Sequence, residues 1–229
     1  MKLEPLGDSA VVATLGTRID AATLASVMKF AGAVAAAKGR GIVDVVPAYA
    51  TVTVFYDPAQ FTRPAEDAYD EVRRFLEACS ARGGGGAPSS ARKMVEIPVC
   101  YGGDLGPDLG FVAEHAKVGA QEVIERHAAG DYLVHAIGFT PGFPFLGGLP
   151  ESLRTPRRET PRARVPAGSV GIGGYQTGVY PIVSPGGWQL IGRTPLTLFR
   201  ADRDPASLLR PGDRVRFKRI TAGEFESWK

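Results

Sequence analysis

Only two cysteines and three histidines occur in 229 residues, and that scarcity excludes several chemistries. Cys79 and Cys100 are far apart and have neither CxxC nor Cys/His spacing, so no zinc site and no disulfide framework can be read from them. Two free thiols in a reducing compartment are the expectation. His115, His127 and His135 form neither H-x-x-H nor HExxH, which argues against a metal centre. An excess of one charge is missing too. With 27 Lys and Arg against 24 Asp and Glu, the formal net charge is +3, no basis for a nucleic-acid partner. No apolar run approaches the ~20 residues of a membrane helix. The opening MKLEPLGDSA carries an acid and a proline where a secretory signal would be basic and then apolar. A cytoplasmic protein without nucleic-acid or membrane partners is expected.

What is present is enough apolar material for real cores, 44% hydrophobic against 22% charged residues. The stretch RGGGGAPSSARK, 82–93, offers nothing to pack and reads as a flexible linker. It separates residues 1–81 from 94–229, each of domain size. In the first part, Ser9–Leu15 alternates like a strand. Asp20 is placed to cap a helix through Lys38, and Gly41–Ala48 with Thr51–Asp57 reads as a hairpin. Pro64–Ala78 then has helical spacing. This order describes a small α/β sandwich with helices on one face of an antiparallel sheet. It holds no clustered nucleophile, so a packing or docking role is expected.

The second part opens with the strand Met94–Tyr101 and a turn at Gly102–Asp104. A helix capped by Asp108 and running to about Val118 follows, then a helix over Ala120–Ala128 and a strand over Asp131–Phe139. Each of the three histidines is expected to be a satisfied structural residue and not a catalytic one, and His127, near that second helix's end, could partner the helix dipole. Nine of the 18 prolines lie between Pro141 and Pro195, which leaves no room for a long helix. Short β-branched and aromatic runs there describe an all-β barrel or sandwich. A turn at Pro211–Asp213 feeds a closing strand, Arg214–Ile220.

The stretch VPAGSVGIGGYQTGVYPIVSPGGW, Val165–Trp188, has the glycine content of a phosphate loop but fails each stock pattern. Gly173 and Gly178 have P-loop spacing, yet Val179 and Tyr180 follow where Lys and Ser or Thr are needed. The dinucleotide pattern breaks at Gln176. Ser169 sits in AGSVG, one residue short of a nucleophile elbow and without its strand-to-helix turn. Upstream, GFTPGFPFLGGLP puts Phe139, Phe143 and Phe145 in a proline-rigid loop. They could equally wall an apolar pocket or plug one barrel end. Between these segments lie five arginines in eleven residues, Arg154, Arg157, Arg158, Arg162 and Arg164, offset only by Glu159. Prolines keep the run extended, so it cannot neutralise itself through helical i,i+4 pairs. Guanidinium forks suit carboxylates and phosphates, and Arg157 and Arg162, adjoining the glycine-rich stretch, are the candidate anion binders.

These segments, with IPVCYGGDLGPDL before them and LLRPGDRVRF after, resemble the family of B-type subunits of bacterial ATP-dependent 5-oxoprolinase. That family was formerly labelled allophanate hydrolase subunit 1, and it includes the Kip-type histidine-kinase inhibitors. The resemblance covers nearly all of the second part and implies an α+β chain, a small α/β sandwich followed by a cyclophilin-like β-barrel. It implies two partners, a homologous C-type subunit with which the chain pairs and an A-type subunit. ATP, with Mg, is implied as co-substrate in opening 5-oxo-L-proline to L-glutamate. No biotin is expected, although fused relatives form the carboxyltransferase part of urea carboxylase. Alternatives are a histidine-kinase inhibitor, or one component of an allophanate- or urea-processing enzyme. On the enzyme reading, Arg157 and Arg162 would bind phosphate and carboxylate, with backbone N–H groups of Gly171, Gly173 and Gly174 as an anion-binding turn. Gln176, Tyr180 and Ser169 would orient the amide or a water, and Phe139, Phe143 and Trp188 would wall the pocket. No Asp, Glu or Lys occurs within Val165–Gly192. A general base would then come from elsewhere, such as Glu96, or from the partner, leaving this chain an incomplete catalyst.

Overall fold

The structure is a computed structural model that describes residues 1–61, 67–82 and 93–228. The chain divides into two compact units, Met1–Ala91 and Arg92–Lys229. Most of the expected linker, residues 83–92, lies outside the described residues, as do residues 62–66 ahead of the second helix.

The first unit comprises β1 (Lys2–Pro5), β2 (Ala10–Thr14), α1 (Ala21–Ala37), β3 (Ile42–Ala48), β4 (Thr51–Tyr56) and α2 (Ala68–Ala81). Its strands form an antiparallel sheet in the order β1-β2-β4-β3. Asp20 caps α1 by accepting the Thr23 N–H at 2.8 Å. Leu24, Val27, Phe30 and Val34, spaced three or four apart, are buried on one side of that helix, while Val11, Val52 and Val54 are buried in the sheet. Strand β1 was not expected: KLEP has no apolar alternation, and its proline is tolerated because the strand lies at a sheet edge.

The second unit runs β5 (Met94–Tyr101), α3 (Leu109–Ala116), α4 (Ala120–Ala128), β6 (Tyr132–Ile137), β7 (Pro144–Gly147), β8 (Arg162–Val165) and β9 (Ser169–Gly173). It continues with β10 (Gln176–Val179), β11 (Ser184–Gly186), β12 (Gln189–Arg193), β13 (Arg214–Arg219) and α5 (Ala222–Glu226). Seven strands close a barrel in the order β10-β7-β6-β13-β5-β12-β9, and β8 pairs with β11 as a separate ribbon. Strands β5 and β13 are parallel, from Met94 opposite Arg214 to Val99 opposite Arg219. The chain is thus α+β, with the closed barrel that the resemblance implied.

The two faces of the barrel wall have different contents. Val170, Ile172, Val179 and Ile191 join Ile97, Tyr132, Val134 and Phe217 in the main core. On β9 and β10 the intervening positions are Gly171, Gly173 and Gly178, and Trp188 lies across them. A β-carbon on Gly173 would stand 2.6 Å from the indole, and one on Gly178 3.1 Å from it and 2.7 Å from the Pro144 carbonyl oxygen. The glycines form a side-chain-free track for one large ring.

His127 is a satisfied structural histidine, as expected, and its place is in the core and not at a helix-end dipole. It is fully buried and stacks on Phe217 at 4.5 Å between ring centroids. Thr177 donates its hydroxyl hydrogen to the Gly171 carbonyl at 3.0 Å, so it can only accept from the imidazole Nε2–H at 2.9 Å. Nδ1 then accepts from the Tyr101 hydroxyl at 2.8 Å. Both ring nitrogens are therefore satisfied, and burial pushes the imidazole pKa down to about 3.

Candidate functional site

A cavity of about 370 Å³ opens on the outer face of the barrel. Its floor and walls are Phe139, Phe143, Phe145, Tyr180 and Trp188, and its rim is Arg157, Arg158, Pro161 and Pro185–Gly187. The aromatic rings meet edge to face. Phe143 lies 5.2 Å from Tyr180 and 5.4 Å from Trp188, both nearly perpendicular. Phe143, Val165, Tyr180, Trp188 and Leu190 form their own buried cluster, apart from the barrel core. The phenylalanine-rich loop therefore walls a pocket and does not plug the barrel end. Phe139 is 63% exposed, with a backbone φ of 66°, and its ring stands 5.5 Å from that of Phe143.

The arginine run is distributed by specific partners. Arg162 donates Nη2 to Asp108 Oδ1 at 2.7 Å, and Arg158 reaches the same oxygen at 3.4 Å. Arg154 pairs with Glu151 at 2.5 Å and lies over the Tyr175 ring at 4.7 Å. Arg157 makes no ion pair among the described residues, and its guanidinium sits 5.8 Å from the centre of the Trp188 ring. Of the two expected anion binders, the structure leaves Arg157 at the cavity and ties Arg162 to an acid outside its lining.

Tyr180 lines the cavity with its phenol buried. Burial raises its pKa, while the Trp188 backbone N–H on its oxygen and the charges of Arg157 and Arg162 pull the other way. At neutral pH it stays a neutral phenol, suited to hydrogen bonding and not to abstracting a proton. The remaining expected site residues lie elsewhere. Ser169 is buried in the ladder opposite Arg193, away from the cavity. Gln176 opens β10 opposite Gly173 and does not line the cavity either. Glu96 is on the exposed side of β5, 3.4 Å from Lys218, and cannot serve this pocket as its base.

The glycine-rich turn is also unavailable to an anion. Gly171 and Gly173 are ladder residues beneath the indole, and Gly174 donates its N–H to the Thr155 carbonyl at 2.8 Å. These residues do not fit a triphosphate cradle. Among the described residues, the cavity lining contains no carboxylate, imidazole, thiol or amine. Among the described residues, no group of three or more His, Cys, Asp or Glu is placed to hold a metal ion, and no helix is long and apolar enough to cross a membrane.

Asp108, expected as a helix cap, has a different role. It stands before α3, but its side chain makes no cap bond. Oδ2 accepts the Leu190 backbone N–H at 2.7 Å, while Oδ1 takes the two arginines. The lone acid in GPDL, followed by an acid-poor arginine run, was the available signal.

A family model described as carboxyltransferase domain, subdomain C and D, matches residues 1–209. The B-type 5-oxoprolinase subunit of Bacillus subtilis (strain 168) is 43% identical over 236 aligned residues, spanning the whole of this chain and 96% of that protein. The crystal structure of TTHA0988 matches with a TM-score of 0.78 at 36% identity, over 93% of this chain and 40% of that longer one. The urea carboxylase of Kluyveromyces lactis shares the fold, with a TM-score of 0.75 at 20% identity over 98% of this chain and 22% of its own.

Proposed function

We propose, from the premise that this chain belongs to the B-type 5-oxoprolinase family of carboxyltransferase-domain proteins, that it supplies the substrate-binding half of a shared active site. The reaction is the ATP-dependent opening of 5-oxo-L-proline to L-glutamate, carried out with the C-type and A-type subunits of the same enzyme. The five-membered ring lies against Phe143, Tyr180 and Trp188, and its carboxylate meets Arg157 at the rim. One observation carries this reading: an aromatic cavity with a guanidinium at its mouth and, among the described residues, no carboxylate, imidazole, thiol or amine in its lining. Such a site can hold and orient a small ring carboxylate but offers no general base at neutral pH, since its Tyr180 phenol stays protonated. The general base therefore comes from a partner chain. The ATP-using step lies away from the glycine stretch, whose residues are occupied by the sheet ladder, the Trp188 ring and Thr155.

The test is glutamate formation from 5-oxoproline and ATP, measured for this chain alone and with its two partners. Activity is expected only from the complete assembly. Full activity from the isolated chain would sink the shared-site reading.

A further inference from the structure

Two hydrogen bonds tie the segment 156–162 directly to Gly187 and Gln189, on either side of Trp188, and two more contacts reach the same stretch through Asp108. Gln189 donates its side-chain amide to the Pro156 carbonyl at 2.9 Å, and the Arg158 N–H goes to the Gly187 carbonyl at 2.7 Å. These two bonds flank the 157–188 pair and set Arg157 opposite Trp188. The other two are the guanidiniums of Arg158 and Arg162 on Asp108, whose second oxygen holds Leu190, two residues beyond Trp188. The Asp108 side chain is 8% exposed and that of Arg162 is 23% exposed. One carboxylate thus joins the start of α3, the strand β12 and the arginine segment.

We propose that Asp108 is a positioning residue for substrate: by pinning Arg158 and Arg162 it fixes the segment that holds Arg157 over Trp188 at the cavity mouth. The substrate part of this inference rests on the cavity being the 5-oxoproline site. Charge counting alone gives the opposite expectation. Removing an acid beside an anion site makes the site more positive and should tighten carboxylate binding. Positioning says that the looser arginine segment binds the carboxylate less well, because orientation is lost.

The two can be separated with Asp108→Asn, whose amide oxygen can still accept the Leu190 N–H while the ionic hold on the arginines is gone. In the assembled complex, KM for 5-oxoproline should rise about tenfold with kcat within about threefold, since the residue touches no reacting atom. Arg162→Gln should act in the same direction, and the double variant should be no worse than the poorer single one. A lowered or unchanged KM, a fall in kcat alone, or additive effects would each overturn the proposal. A second readout needs no activity. In a Trp228→Phe background the only remaining tryptophan is Trp188, and its emission should shift when Asp108→Asn or Arg162→Gln frees the arginine segment. Unchanged emission in both variants overturns positioning outright. An inactive wild-type complex with shifted emission in the variants would instead discard the 5-oxoproline assignment and leave the positioning role standing.

Discussion

Inside the barrel, His127, Tyr101, Tyr132 and Phe217 pack ring to ring around polar atoms that all have partners. On the other side of the same wall, Phe143, Tyr180 and Trp188 also pack ring to ring. Yet they leave about 370 Å³ open beside a guanidinium with no acidic partner among the described residues. The difference lies in what the strands place on each side. Inward positions carry Val and Ile, which fill space. Outward positions 171, 173 and 178 on β9 and β10 carry glycine, which lets one indole lie across them. A saturated aromatic core specifies a fold; an unsaturated one on a rigid wall specifies a site.

The strongest way to break this contrast is Trp188→Ala. If the outer cluster is a packed core in its own right, the substitution should destabilise the second unit by about 3–5 kcal/mol, measured by denaturant unfolding, and abolish substrate turnover. A loss below about 1 kcal/mol would show that the indole is a loosely attached surface group. The inner cluster is tested by pH. Its imidazole pKa in the folded chain, about 3, lies below the unfolded value of about 6.5. The unfolded state therefore binds the proton first as pH falls. The stability contributed by neutral His127 is complete above about pH 6.5 and declines by about 1.4 kcal/mol per unit toward pH 3. By pH 4.5 the wild type should lose about 2–3 kcal/mol more than His127→Gln, relative to pH 7. Parallel pH profiles would show that water reaches the ring and that the inner cluster is not sealed. Gly178→Ala gives the smallest effect, about 1–3 kcal/mol, because the new methyl meets the Pro144 backbone carbonyl as well as the indole. Unaltered stability there would mean that the glycine track is not close-packed.

Much of the fold was legible because local signals agreed with it. The Asp20 cap, the β3–β4 hairpin, and the bounds of β5 and α4 follow from spacing and turn chemistry that act within a few residues. The aromatic wall and Arg157 were also legible, from the proline-rich loop and the charge run. What was hidden depends on distant partners. The glycines at 171, 173 and 178 belong to a stretch with the glycine content of a phosphate loop, and only the placement of Trp188 shows why they lack side chains. Asp108 had the local sequence of a helix cap, but a strand N–H 82 residues away and two arginines claim its oxygens. His127 was expected to be structural, but its burial among rings depends on tertiary packing that its place near a helix end does not show.

The parallel pairing of β5 with β13 also shapes how the second unit is made. Strand β13 sits between β5 and β6, and it is the last strand of the barrel to leave the ribosome. Until Arg214–Arg219 emerge, both neighbours present unpaired edges, and the apolar interior behind them has no seam. Closure joins residues about 120 positions apart, so it comes late and is slow compared with the hairpin of the first unit. During synthesis the chain carries an open sheet, which becomes a barrel only when its final strand zips into the gap.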